Sequence, residues 1–275
     1  MKTIGSESVE IRKVEGQSVS HAWDDVSVEE PLEIRLIYDY GGVREEKVIS
    51  VTMRTPGQDE LLAAGFLFTE GVIRGRDEIE RIDCDPERNA AAVVLKPDVR
   101  PVLPAADRNF YTTSSCGVCG KSSIDSIRAV SVFRDAHALH VSVETIQRIA
   151  KQLDHQQVLF KRTGGVHASS LYESSGEHLF LCEDVGRHNA LDKLIGAALL
   201  EGKLPLHNKI LFLSGRISFE LVQKGYMAGV SVIVAVGAPS TLAIALARET
   251  GITLVGFLRG DRYNVYAGWD RISVH

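Results

Sequence analysis

The strongest constraint on the fold lies between residues 189 and 258, where helical and extended patterns alternate. Three apolar runs, Lys209–Leu213, Val230–Val236 and Ile252–Leu258, read as strands. Single helices separate them, Ile217–Ala228 and Ser240–Glu249, and a further helix, Asn189–Leu200, precedes the first. Strand–helix–strand units of this kind close as right-handed crossovers, so the three strands run parallel and helices cover them. At least half of the sheet is therefore expected to be parallel. Ligands in such sheets settle where loops leave the C-terminal ends of the strands. Ser214-Gly215-Arg216, Gly237-Ala238-Pro239 and Arg259–Arg262 fall on that edge.

The chain ahead of this region has a different rhythm. Leu32–Tyr38 and Lys47–Met53 flank Gly41-Gly42, and Ile79–Cys84 and Ala90–Lys96 flank a second polar turn, so both pairs read as β-hairpins. Asp59–Phe68 has helical apolar spacing behind Pro56-Gly57 and stops at Gly71. Pro97, Pro101 and Pro104 then cluster and mark the clearest boundary. Residues 1–105 are expected to form a β-rich domain with one helix, and residues 106–275 an α/β domain. In the second part, Lys121–Arg134 and Val143–Leu153 read as helices, and Val166–Tyr172 with His178–Cys182 as a hairpin.

Composition narrows the function. With 31 Lys and Arg against 36 Asp and Glu, the net charge is −5, which disfavours broad electrostatic binding of nucleic acid. The N-terminal residues are polar and acidic where a secretion signal would be apolar. The longest apolar run, Val230–Val236, is far short of the roughly 18–20 residues needed to cross a membrane. The expectation is a soluble cytoplasmic protein with no nucleic-acid or membrane partner.

Four cysteines occur, Cys84, Cys116, Cys119 and Cys182, and two form Cys116-Gly117-Val118-Cys119. Glycines and hydroxyl residues surround this pair, and Lys121 with a following helix start adds positive potential that favours thiolate. A structural zinc site needs four ligands, and no second pair exists. A zinc deaminase needs Pro-Cys-x-x-Cys with an upstream His-x-Glu or Cys-x-Glu. Here residue 115 is serine and neither tripeptide occurs. A thioredoxin-like site places a proline opposite its thiols, yet residues 105–204 contain none. Gly120-Lys121-Ser122 ends like a phosphate-binding P-loop, but Ser115 replaces its first glycine. The reading that remains is a cysteine that carries sulfur as a persulfide. Cys84 and Cys182 sit in apolar strand patterns and read as inert core residues.

The segment Thr113–Gly120 resembles the cysteine loop of the formate dehydrogenase accessory sulfurtransferases, the FdhD/NarQ family. Thr163–Ala168, Glu183–Lys193, Ser214–Arg216, Ala238–Ser240 and Phe257–Arg262 match in the same order. The resemblance implies a cytidine-deaminase-like three-layer α/β core with a mixed sheet, lacking the zinc residues and preceded by the smaller β-rich domain. It implies a sulfurtransferase that accepts sulfur from a cysteine desulfurase and passes it to the molybdenum cofactor in its bis-guanine dinucleotide form. The cofactor, carried as cargo, then serves formate dehydrogenase. Cys116 would bear the persulfide and Cys119 would assist. The residues Phe257, Leu258, Arg259, Gly260, Asp261 and Arg262 would contact the cofactor. A homodimer is left open. Rival readings are a cofactor-binding chaperone without sulfur transfer and a dithiol/disulfide oxidoreductase.

Phe257–Arg262 has a physical case of its own. Guanidinium forks on Arg259 and Arg262 suit a pyrophosphate, and Asp261 can accept two N–H bonds from a guanine edge. The bland alternative is a surface turn closed by a salt bridge. Asp184–Lys193 reads as a loop entering a helix, with Asn189 as its N-cap and Arg187 and His188 close to an anion-binding first turn. Gly164-Gly165 with His167 reads either as a close approach to a ligand or as a plain turn. Because no second ligand pair exists, no resident metal is expected. Metal analysis of protein purified without chelators should find zinc well below one per chain, and stoichiometric zinc would overturn that reading.

Overall fold

The computed structural model describes residues 5–103, Phe133 and 139–274. The Cys116–Cys119 loop lies outside the described residues, as does the helix expected over Lys121–Arg134 apart from Phe133. The chain opens with a two-stranded antiparallel ribbon, β1 (Ser6–Glu15) and β2 (Ser18–Ser27). Sequence reading did not pair these strands, because their side chains are largely exposed on both faces and no apolar alternation marks them.

Next come β3 (Glu30–Tyr40), β4 (Val43–Arg54), α1 (Asp59–Thr69), β5 (Ile79–Asp85) and β6 (Ala90–Leu95). They form a four-stranded sheet of order β4-β3-β6-β5, with both expected hairpins in place. After a short strand β7 (Val141–Ser142) follow α2 (Val143–Gln156), α3 (Val158–Thr163), β8 (His167–Glu173), β9 (His178–Asp184) and α4 (Arg187–Leu200). The alternation then runs as read: β10 (Lys209–Leu213), α5 (Phe219–Met227), β11 (Val232–Ala235), α6 (Thr241–Thr250) and β12 (Thr253–Arg259). The hairpin strand β13 (Arg262–Ala267) and a short β14 (Ile272–Ser273), which pairs with β7, complete the chain.

These strands build a mixed six-stranded sheet of order β13-β12-β11-β10-β8-β9. β10, β11 and β12 are parallel, as the single-helix crossovers require. β8, β9 and β13 attach antiparallel at the two sides. Three of six strands are thus parallel, although only two of the five pairings are.

Alternation along β10 divides the core. Leu211 and Leu213 face α4, α5 and α6, whereas Ile210 and Phe212 face Ile146 and Ile149 of α2. The sheet is therefore covered on both faces. The first of these cores also takes in Leu32, Ile34 and Leu36 of β3 and Leu62 and Leu67 of α1, so the four-stranded sheet shares it.

The junction is a close crossing of α1 over α4. A Cβ built on Gly65 would lie 1.9 Å from the Asp192 carbonyl oxygen, and one on Gly196 would lie 1.9 Å from that of Leu61. Only two glycines let the backbones meet. Around the crossing, charges are buried in pairs. Lys224 reaches both Asp192 carboxylate oxygens at 2.9 Å, and Thr69 Oγ1 donates to Asp192 at 2.8 Å. Burial pushes the Asp192 carboxyl up, while Lys224 and Thr69 pull it back. Burial also works to lower Lys224, but Asp192 and Glu70 more than offset it and hold the ammonium above its ordinary range. At the start of α1, buried Arg54 grips Asp59 with two bonds of 2.9 Å. A methyl group at Gly65 has nowhere to go. Gly65→Ala is expected to lower unfolding free energy by about 3 kcal/mol, read from urea denaturation.

Candidate functional site

The loops that leave the parallel strands are laced to one another. The Ser214 N–H donates to Ala168 O at 2.9 Å, and the Ala168 N–H donates back to Ser214 Oγ at 2.8 Å. Gly237 N–H donates to Gly215 O at 3.1 Å, and Phe257 N–H donates to Gly237 O at 3.2 Å. Ile217 bridges to Pro239 in the same layer. A Cβ on Gly237 would sit 2.6 Å from Gly215 O, so glycine is required where the two loops touch. The three segments expected at the C-terminal edge are therefore neighbours.

This edge is cationic. His167, the first residue of β8, is half-buried and stands opposite Asp184 of β9. Its ring lies against Gly215, where a Cβ would come within 3.1 Å of Nδ1. Burial lowers the His167 pKa, and the Arg187 and Arg216 guanidiniums lower it further, against a smaller opposite pull from Asp184. His188 Nε2 lies 3.3 Å from Ser218 Oγ, which ties the first turn of α4 to the start of α5. Arg187 and Arg216 form no hydrogen bond or ion pair with another described residue.

The turn that presents Arg187 is held from below. Asp184 is fully buried and meets Lys193 Nζ at 2.7 Å. It also accepts from the backbone N–H groups of Thr55 at 3.1 Å and Gly186 at 2.8 Å and from Asn189 Nδ2 at 3.3 Å. Lys193 also donates to Thr55 O at 2.9 Å. The expectation that Asn189 caps α4 is corrected here. Gly186 holds the cap position, and buried Asn189 donates to Met53 O at 2.7 Å on β4. Across Glu183–Lys193 the polar residues thus divide. Asp184, Asn189, Asp192 and Lys193 knit the two sheets together, and Arg187 and His188 face the edge. Sequence reading missed the first role, since its partners lie far away in the chain.

Phe257–Arg262 crosses from β12 into β13 through a tight turn. Leu258 is buried in the core, whereas Phe257, Arg259, Gly260, Asp261 and Arg262 are exposed. Arg259 pairs with Arg262 in the ladder, and a register break separates Gly256 from Arg259. Asp261 makes no salt bridge with either arginine, so the bland alternative of a closed surface turn does not apply. Phe257 has φ 56°, a left-handed conformation that costs a bulky residue energy and is a genuine outlier. The bulge turns its ring outward, to 43% exposure.

The described cysteines are poor nucleophiles. Cys182 is buried, which pushes its thiol up to about 12. Cys84 is exposed on β5 rather than in the core, contrary to expectation. Desolvation by the surrounding chain, with Glu60, Asp59 and Asp83, pushes its thiol up to about 11. Among the described residues no three His, Cys, Asp or Glu side chains converge to hold a metal ion, and no helix is long and apolar enough to cross a membrane.

Fold and site together define a mixed α/β protein with a cationic, aromatic-bearing loop edge and a separate cysteine pair. The FdhD/NarQ family model matches residues 28–273, and the chain belongs to that family. A sulfur carrier protein FdhD from Streptomyces coelicolor is 44% identical over 98% of this chain and 96% of its own length. One from Mycolicibacterium paratuberculosis is 48% identical over 94% and 95% respectively. A crystal structure from Desulfotalea psychrophila, described as a formate dehydrogenase accessory protein, superimposes with a TM-score of 0.75 at 26% identity. It covers 98% of this chain and all of its own.

The left-handed backbone at residue 257 has a measurable consequence. Phe257→Gly and Phe257→Ala both lose the ring, but only glycine adopts positive φ freely. Phe257→Gly should unfold at higher urea than Phe257→Ala, by about 1 kcal/mol, the reverse of the usual order. Equal stabilities would mean that the backbone relaxes.

Proposed function

We propose that this chain is a sulfur carrier, a sulfurtransferase that serves formate dehydrogenase. The Cys116 thiolate attacks the outer sulfur of a persulfide on a cysteine desulfurase, whose own thiolate leaves. Cys116 then carries that sulfur as a persulfide to the molybdenum cofactor in its bis-guanine dinucleotide form, the cargo substrate. Cys119 assists. Phe257–Arg262 contacts the cofactor, with Phe257 offering an aromatic face to a purine and Arg259 and Arg262 meeting phosphate.

Membership of a family whose relatives are named sulfur carriers carries the reading. The raised thiols of Cys84 and Cys182 add to it, because they leave the Cys116–Cys119 pair as the chemically suited site. The reading extends to a cytidine-deaminase-like α/β part after residue 105, a smaller β-rich part before it, and a cytoplasmic setting where cysteine stays reduced.

Intact mass after incubation with a cysteine desulfurase and cysteine tests the chemistry. Wild type should gain one sulfur, and Cys116→Ala should gain none and fail to support formate dehydrogenase. Loss of two hydrogens would indicate a disulfide oxidoreductase, and no change would indicate a cofactor chaperone. Calorimetric titration tests the cargo contact. GDP should bind better than ADP, and Arg259→Ala should weaken GDP about ten- to a hundred-fold, the worth of a charge-assisted hydrogen bond.

A further inference from the structure

We propose that Arg187, Arg216 and His167 form one subsite for the diphosphate bridge of a nucleotide, and that His167 takes a proton from solvent when the bridge seats. This deepens the proposed function and rests on its nucleotide-bearing cargo. It concerns residues outside Phe257–Arg262.

Three observations converge. First, the two arginines start beside the same imidazole from different elements: Arg216 follows Gly215, which lies against the His167 ring, and Arg187 follows Gly186, whose N–H donates to the Asp184 carboxylate opposite His167. Neither is neutralised by a described carboxylate, whereas the arginines of the four-stranded sheet are. Arg35 meets Glu33 and Glu46, Arg44 meets Asp39 and Glu80, and Arg54 meets Asp59. Secondly, the one carboxylate near the ring, Asp184, is already engaged by Lys193 and by the N–H groups of Thr55 and Gly186. Its charge does not balance the edge. Thirdly, the loop bonds from Gly215 to Gly237 and from Gly237 to Phe257 make the subsite continuous with the segment proposed to contact the purine and its nearer phosphate.

The electrostatic logic then has a fixed sign. With the edge empty, burial first and then the two guanidiniums oppose a charge on the ring, which favours the neutral imidazole. A diphosphate brings negative charge beside all three groups, which reverses the balance and favours imidazolium. One proton passes from solvent to a ring nitrogen of His167, and no other covalent change is needed. Binding should therefore tighten as the pH falls from about 7.5 to 6. The groups that face the ring are Arg187, Arg216 and Asp184. His188, the neighbour of Arg187, is the other imidazole of this turn and lies against Ser218.

The probe is GDP-mannose, whose diphosphate is esterified at both ends and does not itself titrate near neutrality, with ADP-ribose as its adenine counterpart. NMR titration of the histidine rings in the full chain should give His167 a midpoint below 6.5 when free, moved upward by saturating GDP-mannose. Arg216→Ala and Arg187→Ala should each weaken GDP-mannose about tenfold or more, and the exposed turn variant Arg88→Ala should not. His167→Asn should abolish the pH dependence of binding, and His188→Asn should retain it.

A His167 midpoint that does not move on saturation overturns the proposal, as does loss of the pH dependence in His188→Asn alone. Wild-type affinity in both arginine variants removes the subsite while leaving guanine recognition by Phe257–Arg262 intact. If GDP-mannose and ADP-ribose bind equally and both need Arg216, the subsite stands and the guanine reading falls. If neither binds, the subsite falls.

Discussion

Two glycines on facing helices set the distance on which everything else depends. Gly65 and Gly196 let α1 and α4 meet backbone to backbone, which no residue with a Cβ would permit. At that separation, the side chains flanking the crossing must be short or must find partners at once. Asp192 and Lys193, adjacent on α4, therefore carry their charges to opposite partners, one to Lys224 on α5 and one to Asp184 at the end of β9. Each pair is almost wholly buried, and buried ions are tolerable only when paired and fully hydrogen-bonded. Thr55, Thr69 and Asn189 supply the remaining bonds.

This scaffold explains how a flexible residue type can serve a precise site. Arginine has many rotamers, but Arg187 starts from a helix turn whose backbone is pinned by the Asp184 carboxylate and by Asn189. The turn cannot wander without exposing a buried ion pair. The loops after β10 and β11 are held equally firmly, by hydrogen bonds to each other rather than by packing. The edge is thus prearranged, which lowers the entropy lost when a ligand binds. Its sign is opposite to that of the whole chain: a protein of net charge −5 presents on one rim guanidiniums that no described carboxylate pairs.

In the function proposed above, the sulfur-bearing pair and the ligand-contacting segment are far apart in the sequence. The described thiols are held protonated, Cys182 by burial and Cys84 by desolvation with neighbouring carboxylates. That suppresses nucleophilic chemistry at both of these positions. The cationic rim, by contrast, is built from the ends of regular elements.

The alternation of strands and helices determined the parallel order of β10, β11 and β12, because short crossovers leave no other arrangement. It also located the working edge, since the loops follow from the strand ends. The hairpins at Gly41-Gly42 and after β8 were equally legible from turn residues. What only tertiary structure decided was the meaning of polar residues. Asp184, Asn189 and Lys193 look alike in sequence whether they bind a ligand or each other, and Thr55, which separates those roles, lies far away along the chain. The lack of a described carboxylate beside Arg187 and Arg216, their placement around His167, and the left-handed turn at Phe257 were hidden for the same reason. Local periodicity encodes which face of an element is buried, but charge pairing and backbone strain are settled by groups that only the folded chain brings within a few ångströms.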